Sequence, residues 1–282
     1  MSLRYAYNTN GLADHRLEDA LSFLADTGYD GVSLTLDHHH LDPFAPDLSH
    51  RLDRLRQRLE DLTLTAVVET GGRFVLDPRR KHEPNLISNE GRQRRVEFLC
   101  RAVDIAADLG AETVSFWSGT APPDVDGEVA WRRLVEGCSA ALEAAEKRGV
   151  TLAFEPEPGH LVERLDQYDA LLDALGGSEC FGLTLDVGHC LCVGEESVPE
   201  RILERAGQLV NVHIEDVRRG VHEHLDFGEG DVDFPPILDA LNRIGYRGLV
   251  SVELSRHSHA AHRTVPRAIE FLKEAERKKV AV

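Results

Sequence analysis

Four residues in the second half of the chain carry the first chemical signal: Glu155 in LAFEPEPG, Asp186 in LTLDVGH, His213 in NVHIED and Glu253 in SVELS. Each stands at the end of a short run of strand-forming residues. Three carboxylates and one imidazole make an O3N donor set, which suits Mn²⁺, Mg²⁺, Co²⁺ or Zn²⁺ better than copper or an iron–sulfur cluster. Gathered without a cation, the carboxylates would repel and raise one another's pKa values. A divalent ion removes that conflict. Taken singly, each residue also has an ordinary use: Asp186 as a helix cap, Glu155 and Glu253 as partners of rim arginines, His213 as a core imidazole. Their joint occurrence at equivalent strand ends is what points to one ion.

Other polar residues cluster nearby in sequence. His189 follows Asp186 by three positions and either meets a substrate, holds a second cation or caps the next segment. In HEHLDFGEGDVDF, His222 and His224 are two apart and so share one side of an extended segment, while Gly228 and Gly230 would let the loop turn sharply over a ligand. Arg218 and Arg219 either grip an anionic substrate group or form solvated ion pairs. Arg73 in ETGGRF and Lys81 and His82 in RRKHEP pose the same choice, a carboxylate or phosphate site against a solvated basic patch. The His38–His40 run receives no role. Among five cysteines, Cys190 and Cys192 form CLC rather than CxxC and are read as packing.

These residues need elements that bring them together. Candidate strands cover residues 3–8, 31–36, 64–70, 112–118, 151–156, 182–187, 209–215 and 249–255, each a run rich in β-branched or aromatic residues. Between them lie segments of helical period such as LSHRLDRLRQRLEDL and AWRRLVEGCSAALEAAEKRG, several closing at Gly. Eight nearly even βα units without a long linker predict an α/β fold, a closed (β/α)8 TIM barrel forming a single domain over residues 1–282. Continuous apolar strands predict burial on both faces. A parallel barrel sets the C-terminal ends of its strands side by side, so ligands distant in sequence converge there.

Composition narrows the partners. With 32 Lys plus Arg against 49 Asp plus Glu, the formal net charge is −17, a field that repels phosphate backbones and predicts no nucleic-acid partner. Neither a secretory leader nor an apolar run long enough for a membrane span is seen. An odd set of cysteines without a framework pattern suggests reduced thiols and a cytoplasmic location. No GxGxxG or GxxxxGK[ST] fingerprint is present, so a nucleotide cofactor is not expected. Assembly as a homo-oligomer is compatible with all of this.

The segments LAFEPEPG, LTLDVGH, NVHIED, DFGEGDVDFPPILDALNRIGYRG and SVEL, between residues 151 and 254, resemble the xylose isomerase-like TIM-barrel superfamily, the sugar phosphate isomerase and epimerase group. The resemblance implies that Glu155, Asp186, His213 and Glu253 bind one divalent metal, that Glu155 and Glu253 double as the acid/base pair, and that His189 contacts substrate oxygens. One departure is that Leu161 stands where the sugar 3-epimerases place a further substrate-binding glutamate, with Glu157 and His160 nearby but out of register. The implied chemistry is proton abstraction beside a carbonyl, giving isomerisation or epimerisation of a sugar, sugar phosphate or keto-polyol through an enediolate. The same enolate could expel a β-hydroxyl, so a dehydratase of a keto-inositol or dehydroshikimate-like acid is the nearest alternative. Less favoured are an apurinic-endonuclease-like nuclease, since Glu69 and Trp117 stand where that family needs histidines, and a non-catalytic metal-stabilised binder.

Overall fold

The computed structural model describes residues 2–195 and 197–278. Eight parallel strands close into one barrel in sequence order: β1 Arg4–Asn8, β2 Gly31–Thr35, β3 Thr65–Glu69, β4 Thr113–Phe116, β5 Thr151–Phe154, β6 Phe181–Asp186, β7 Leu209–Ile214 and β8 Leu249–Val252. The last pairs with the first, Tyr7 opposite Val252. The helices are α1 Leu17–Thr27, α2 Leu48–Leu62, α3 Arg92–Leu109, α4 Gly127–Arg148, α5 Leu165–Ala174, α6 Val187–Cys192, α7 Val198–Glu204, α8 Phe234–Arg243 and α9 Ala261–Arg277. The expected (β/α)8 barrel is the fold observed. Gly28, Gly110 and Gly149 close α1, α3 and α4 in the left-handed conformation, where a missing Cβ removes the steric penalty.

The strands are buried throughout, but their two faces differ more than a continuous apolar run suggested. Outward residues are large and apolar: Tyr5, Tyr7, Leu34, Phe116, Phe154, Leu185, Ile214 and Val252 pack into the main core. Inward residues are small or polar. Ser33 of β2 donates to Ser251 of β8 at 2.6 Å, Ser115 of β4 lies 3.1 Å from Thr184 of β6, and Asn211 of β7 reaches Glu69 of β3 at 3.4 Å. None of these strand pairs is adjacent, so the bonds cross the lumen. Ala6, Val67 and Leu249 form a small apolar cluster apart from the main core. A polar lumen is costly to bury unless its groups are paired, and here they form a hydrogen-bonded floor beneath the strand ends.

Two loops above that floor are fastened from within. After β3, residues 70–91 are held by Arg95, which is buried in α3 and donates to the carbonyls of Pro84 and His82, both at 2.9 Å. Its guanidinium also lies 5.0 Å from the ring centroid of Trp117. After β7, the chain wraps around Asp216. Its Oδ2 accepts from the amides of Gly228 and Gly230, both at 2.9 Å, and its Oδ1 from those of Val217 and Val232 at 3.0 and 3.1 Å. Among the described residues no helix is long and apolar enough to cross a membrane.

Candidate active site

The four predicted ligands meet at the C-terminal mouth of the barrel. Asp186 and His213 are register partners across β6 and β7. Glu155 and Glu253 stand one residue beyond β5 and β8, and each extends the ladder: the amide of Glu155 donates to Phe116 at 2.8 Å and that of Glu253 to Ile214 at 3.2 Å. Nδ1 of His213 lies 3.0 Å from Glu155 Oε1, 3.1 Å from Glu253 Oε2 and 4.0 Å from Asp186 Oδ2. One ligand atom from each of the four residues falls within 4.8 Å of the others.

Asp186, Glu253 and His213 each have one end anchored and one end toward this centre. Asp186 caps α6, its Oδ1 accepting from the His189 amide at 2.7 Å, while Oδ2 is buried with no hydrogen-bond partner among the described residues. One oxygen of the carboxylate therefore caps the helix, and the other is left for a cation. Glu253 Oε1 accepts from Asn10 at 2.8 Å, leaving Oε2 toward the centre. A buried carboxylate oxygen without a donor, next to two further carboxylates and an imidazole, fits a divalent cation.

The electrostatics say the same. Burial pushes Glu155 up to about 8, against the opposing pull of His213. His213 is itself moved well above an ordinary histidine: burial disfavours its charge, but Glu69 and Glu155 outweigh it. Glu253 is lowered despite burial because His213 hydrogen-bonds to it. Protons stand in for a cation that would satisfy the same oxygens.

In front of the centre opens a cavity of about 370 Å³ lined by residues of both barrel halves, among them Asn10, Glu69, Trp117, Glu155, Glu157 and Glu253. Its wall carries the expected histidines. His189 is buried, with Nδ1 3.2 Å from the Pro156 carbonyl and Nε2 unpartnered among the described residues; burial lowers it to about 4, keeping the ring neutral. The rings of His222 and His224 lie 4.8 and 5.9 Å from it. Arg73, Lys81 and His82 line the rim, and His82 is lowered to about 4 by burial and by the charges of Lys81, Arg95 and Arg73. Arg218 does not join them: it is exposed and absent from the cavity wall, because the chain turns outward after Val217, and Arg256 lines the rim instead. Nor do Gly228 and Gly230 fold over a ligand. They let the backbone close on Asp216, whose Oδ1 a Cβ on Gly230 would strike. His38 and His39 lie on the rim with Asp37, His40 is buried against the His15 carbonyl at 3.1 Å, and Cys190 is core.

Four residues at the centre received no role in it from the sequence, although Glu69 and Glu157 were noted there for other reasons. Glu69 and Asn10 come from the first half and hold His213 and Glu253. Glu157 lies 3.7 Å from both His189 and His222 and supplies a carboxylate near the substrate wall. Glu215 is fully buried beside Gly188, where a Cβ would collide with its carboxylate. Its only sequence signal was its place two residues after His213, on the same strand face.

Comparison with known proteins adds independent findings. Residues 21–275 match the model of a family described as xylose isomerase-like TIM barrel. A curated relative, L-ribulose-5-phosphate 3-epimerase UlaE of Escherichia coli O1:K1, is 26% identical over 244 residues, 84% of this chain and 81% of that one. Among solved structures, an L-ribulose 3-epimerase superposes with a TM-score of 0.76 at 23% identity, covering 98% of this chain and 96% of that one. The IolI protein, solved with a bound zinc atom, superposes with a TM-score of 0.74 at 20% identity, covering 97% and 96%.

Proposed function

The chain belongs to the xylose isomerase-like TIM barrel family, and we propose that within it this protein is a divalent-metal-dependent 3-epimerase of a ketose or ketose phosphate. The observation that carries the proposal is the pairing of Glu155 and Glu253, each with one oxygen about the same distance from His213 Nδ1 and both facing one cavity. Glu155, Asp186, His213 and Glu253 would hold the ion, which when bound supplies Lewis-acid polarisation of a ketose carbonyl and its neighbouring hydroxyl.

The remaining work falls to the side chains. Glu155 Oε2 makes no hydrogen bond among the described residues and can take the proton from the carbon beside the carbonyl. In the ion-free protein burial raises this carboxyl to about 8, so Glu155 would give up its proton as the ion binds and enter the reaction as the base. Glu253, with Oε1 fixed by Asn10, would pass to the opposite face of the enediolate carbon a proton that it draws from solvent, while the proton taken by Glu155 is released to solvent. Neutral His189 and the neighbouring His222 offer ring nitrogens to substrate hydroxyls. Trp117 lines the same cavity and offers an apolar face to the substrate.

The test is product analysis. Mn²⁺- or Co²⁺-loaded protein incubated with a panel of ketopentoses, ketohexoses and their phosphates should convert at least one into its C3 epimer. Formation of aldoses alone would replace epimerisation with isomerisation, and loss of a hydroxyl would replace it with dehydration.

A further inference from the structure

His213 stands between two acidic sides. On its Nδ1 side lie Glu155, Glu253 and Asp186; on its Nε2 side Glu69 is the one carboxylate among the described residues, with Oε1 at 2.9 Å. An imidazole offers an ion one nitrogen, and when the ring is buried the other nitrogen needs a partner of its own. Glu69 is placed for that task by the sheet, opposite Thr35 on β2 and Ser115 on β4, and its side chain is buried. Asn211 completes the arrangement: its amide nitrogen reaches Glu69 Oε1 and Thr184 Oγ1, both at 3.4 Å, and lies 3.2 Å from His213 Nε2 itself, so Glu69 at 2.9 Å is the nearer of the two partners of that ring nitrogen and the one able to accept its proton.

We propose that Glu69 is the positioning residue of the ion site: it accepts the Nε2–H of His213, fixes the ring's tautomer and orientation, and so commits Nδ1 to the cation. Glu69 works through the ring, because it faces the edge of the imidazole opposite the other three carboxylates. A carboxylate at this place also makes the ring a stronger donor than a neutral acceptor would. The inference rests on the metal-site reading and extends it from the residues that hold the ion to one that would not touch it.

The experiment compares wild type with Glu69→Gln and Glu69→Ala, all stripped with chelator. Each is titrated with Co²⁺ followed by its absorption, with folding checked by circular dichroism. In parallel, the imidazole N–H of His213 is followed by ¹⁵N-edited NMR in the Zn²⁺ form. Glu69→Ala should weaken Co²⁺ binding by about 10- to 100-fold, with Glu69→Gln between it and wild type because an amide oxygen still accepts the bond without the charge. The Nε2–H resonance should persist in Glu69→Gln and be lost to exchange in Glu69→Ala. If Glu69→Ala does not fold, Glu69→Gln alone decides by its weakened binding. Wild type that takes up no Co²⁺ would overturn the metal-site reading itself. Variants that bind Co²⁺ as tightly as wild type, or a Glu69→Ala protein that binds it weakly while keeping the His213 Nε2–H resonance, would overturn the role of Glu69 and leave the metal site standing.

Discussion

The two halves of the barrel mouth do different work. Strands β5 to β8 deliver the candidate ligands, and they deliver them charged and crowded: Glu155, Asp186, His213 and Glu253 all approach one point. Strands β1 to β4 bring no residue of that quartet. They supply the groups that aim it, Asn10 on Glu253 and Glu69 on His213, and the rim cations Arg73 and Lys81. The difference teaches how a closed barrel divides a site. One half concentrates charge that protons or a cation must reconcile, and the other contributes uncharged hydrogen bonds and a single carboxylate that orient it.

If that division holds, damage should grade by half. The largest effect is expected from Asp186→Asn, which removes a charged ligand oxygen with no other buried partner: metal analysis of protein purified without chelator should fall from about one ion per chain to none. Retained metal would show that the second half does not form the site as described.

Next comes pH. Glu155 must be ionised to ligate, and in the ion-free protein it is raised to about 8, so ion binding releases a proton. Affinity for Mn²⁺ should rise about tenfold per pH unit from 6 to 8 and then level off, measured by titration calorimetry in buffers of different ionisation heat. The ion-free fold has the opposite sign. A carboxyl raised in the folded state lends stability that is full below its ordinary pKa and lost as pH climbs through about 8. Melting temperature of stripped protein should therefore fall over that window, and added Mn²⁺ should restore it.

In the first half the changes are smaller. Asn10→Ala frees Glu253 without removing it, and kcat should drop about tenfold with ion stoichiometry intact, the scale of losing an orienting partner. Smaller still is Arg73→Ala. Its guanidinium reaches the Ser255 carbonyl at 3.2 Å across the mouth and has no carboxylate within 4.0 Å among the described residues, so it should raise KM several-fold for a phosphorylated ketose and leave an unphosphorylated one unchanged. Arg218→Ala, outside the cavity, should change neither value.

Sequence and structure differ along the same line. The eight βα units and the quartet could be read from sequence because each carries a local mark, a β-branched run, a helical period, or an ionisable residue at a strand end. The orienting residues carry none. Glu69 ends its strand as Glu155 nearly does, yet its partner is 144 positions away, and only closure of the barrel brings them together. The polar lumen was hidden for a related reason: Ser33, Thr184 and Ser251 alternate with large apolar residues, but barrel strands are so short that the alternation resembles an unbroken apolar run. The GEGD segment was noticed for its glycines, but its purpose needed Asp216, whose carboxylate they enclose. Arg218 was misplaced because charge in a loop says nothing about which way the loop turns.

The most direct measurement is deuterium wash-in. A responsive ketose incubated in D2O with Mn²⁺-loaded protein should acquire deuterium at the carbon beside its carbonyl. The exchange should disappear on chelation, and it should fall about 10²- to 10⁴-fold in both Glu155→Gln and Glu253→Gln. Exchange that continues at the wild-type rate in chelator-treated protein, or in either variant, would contradict the account.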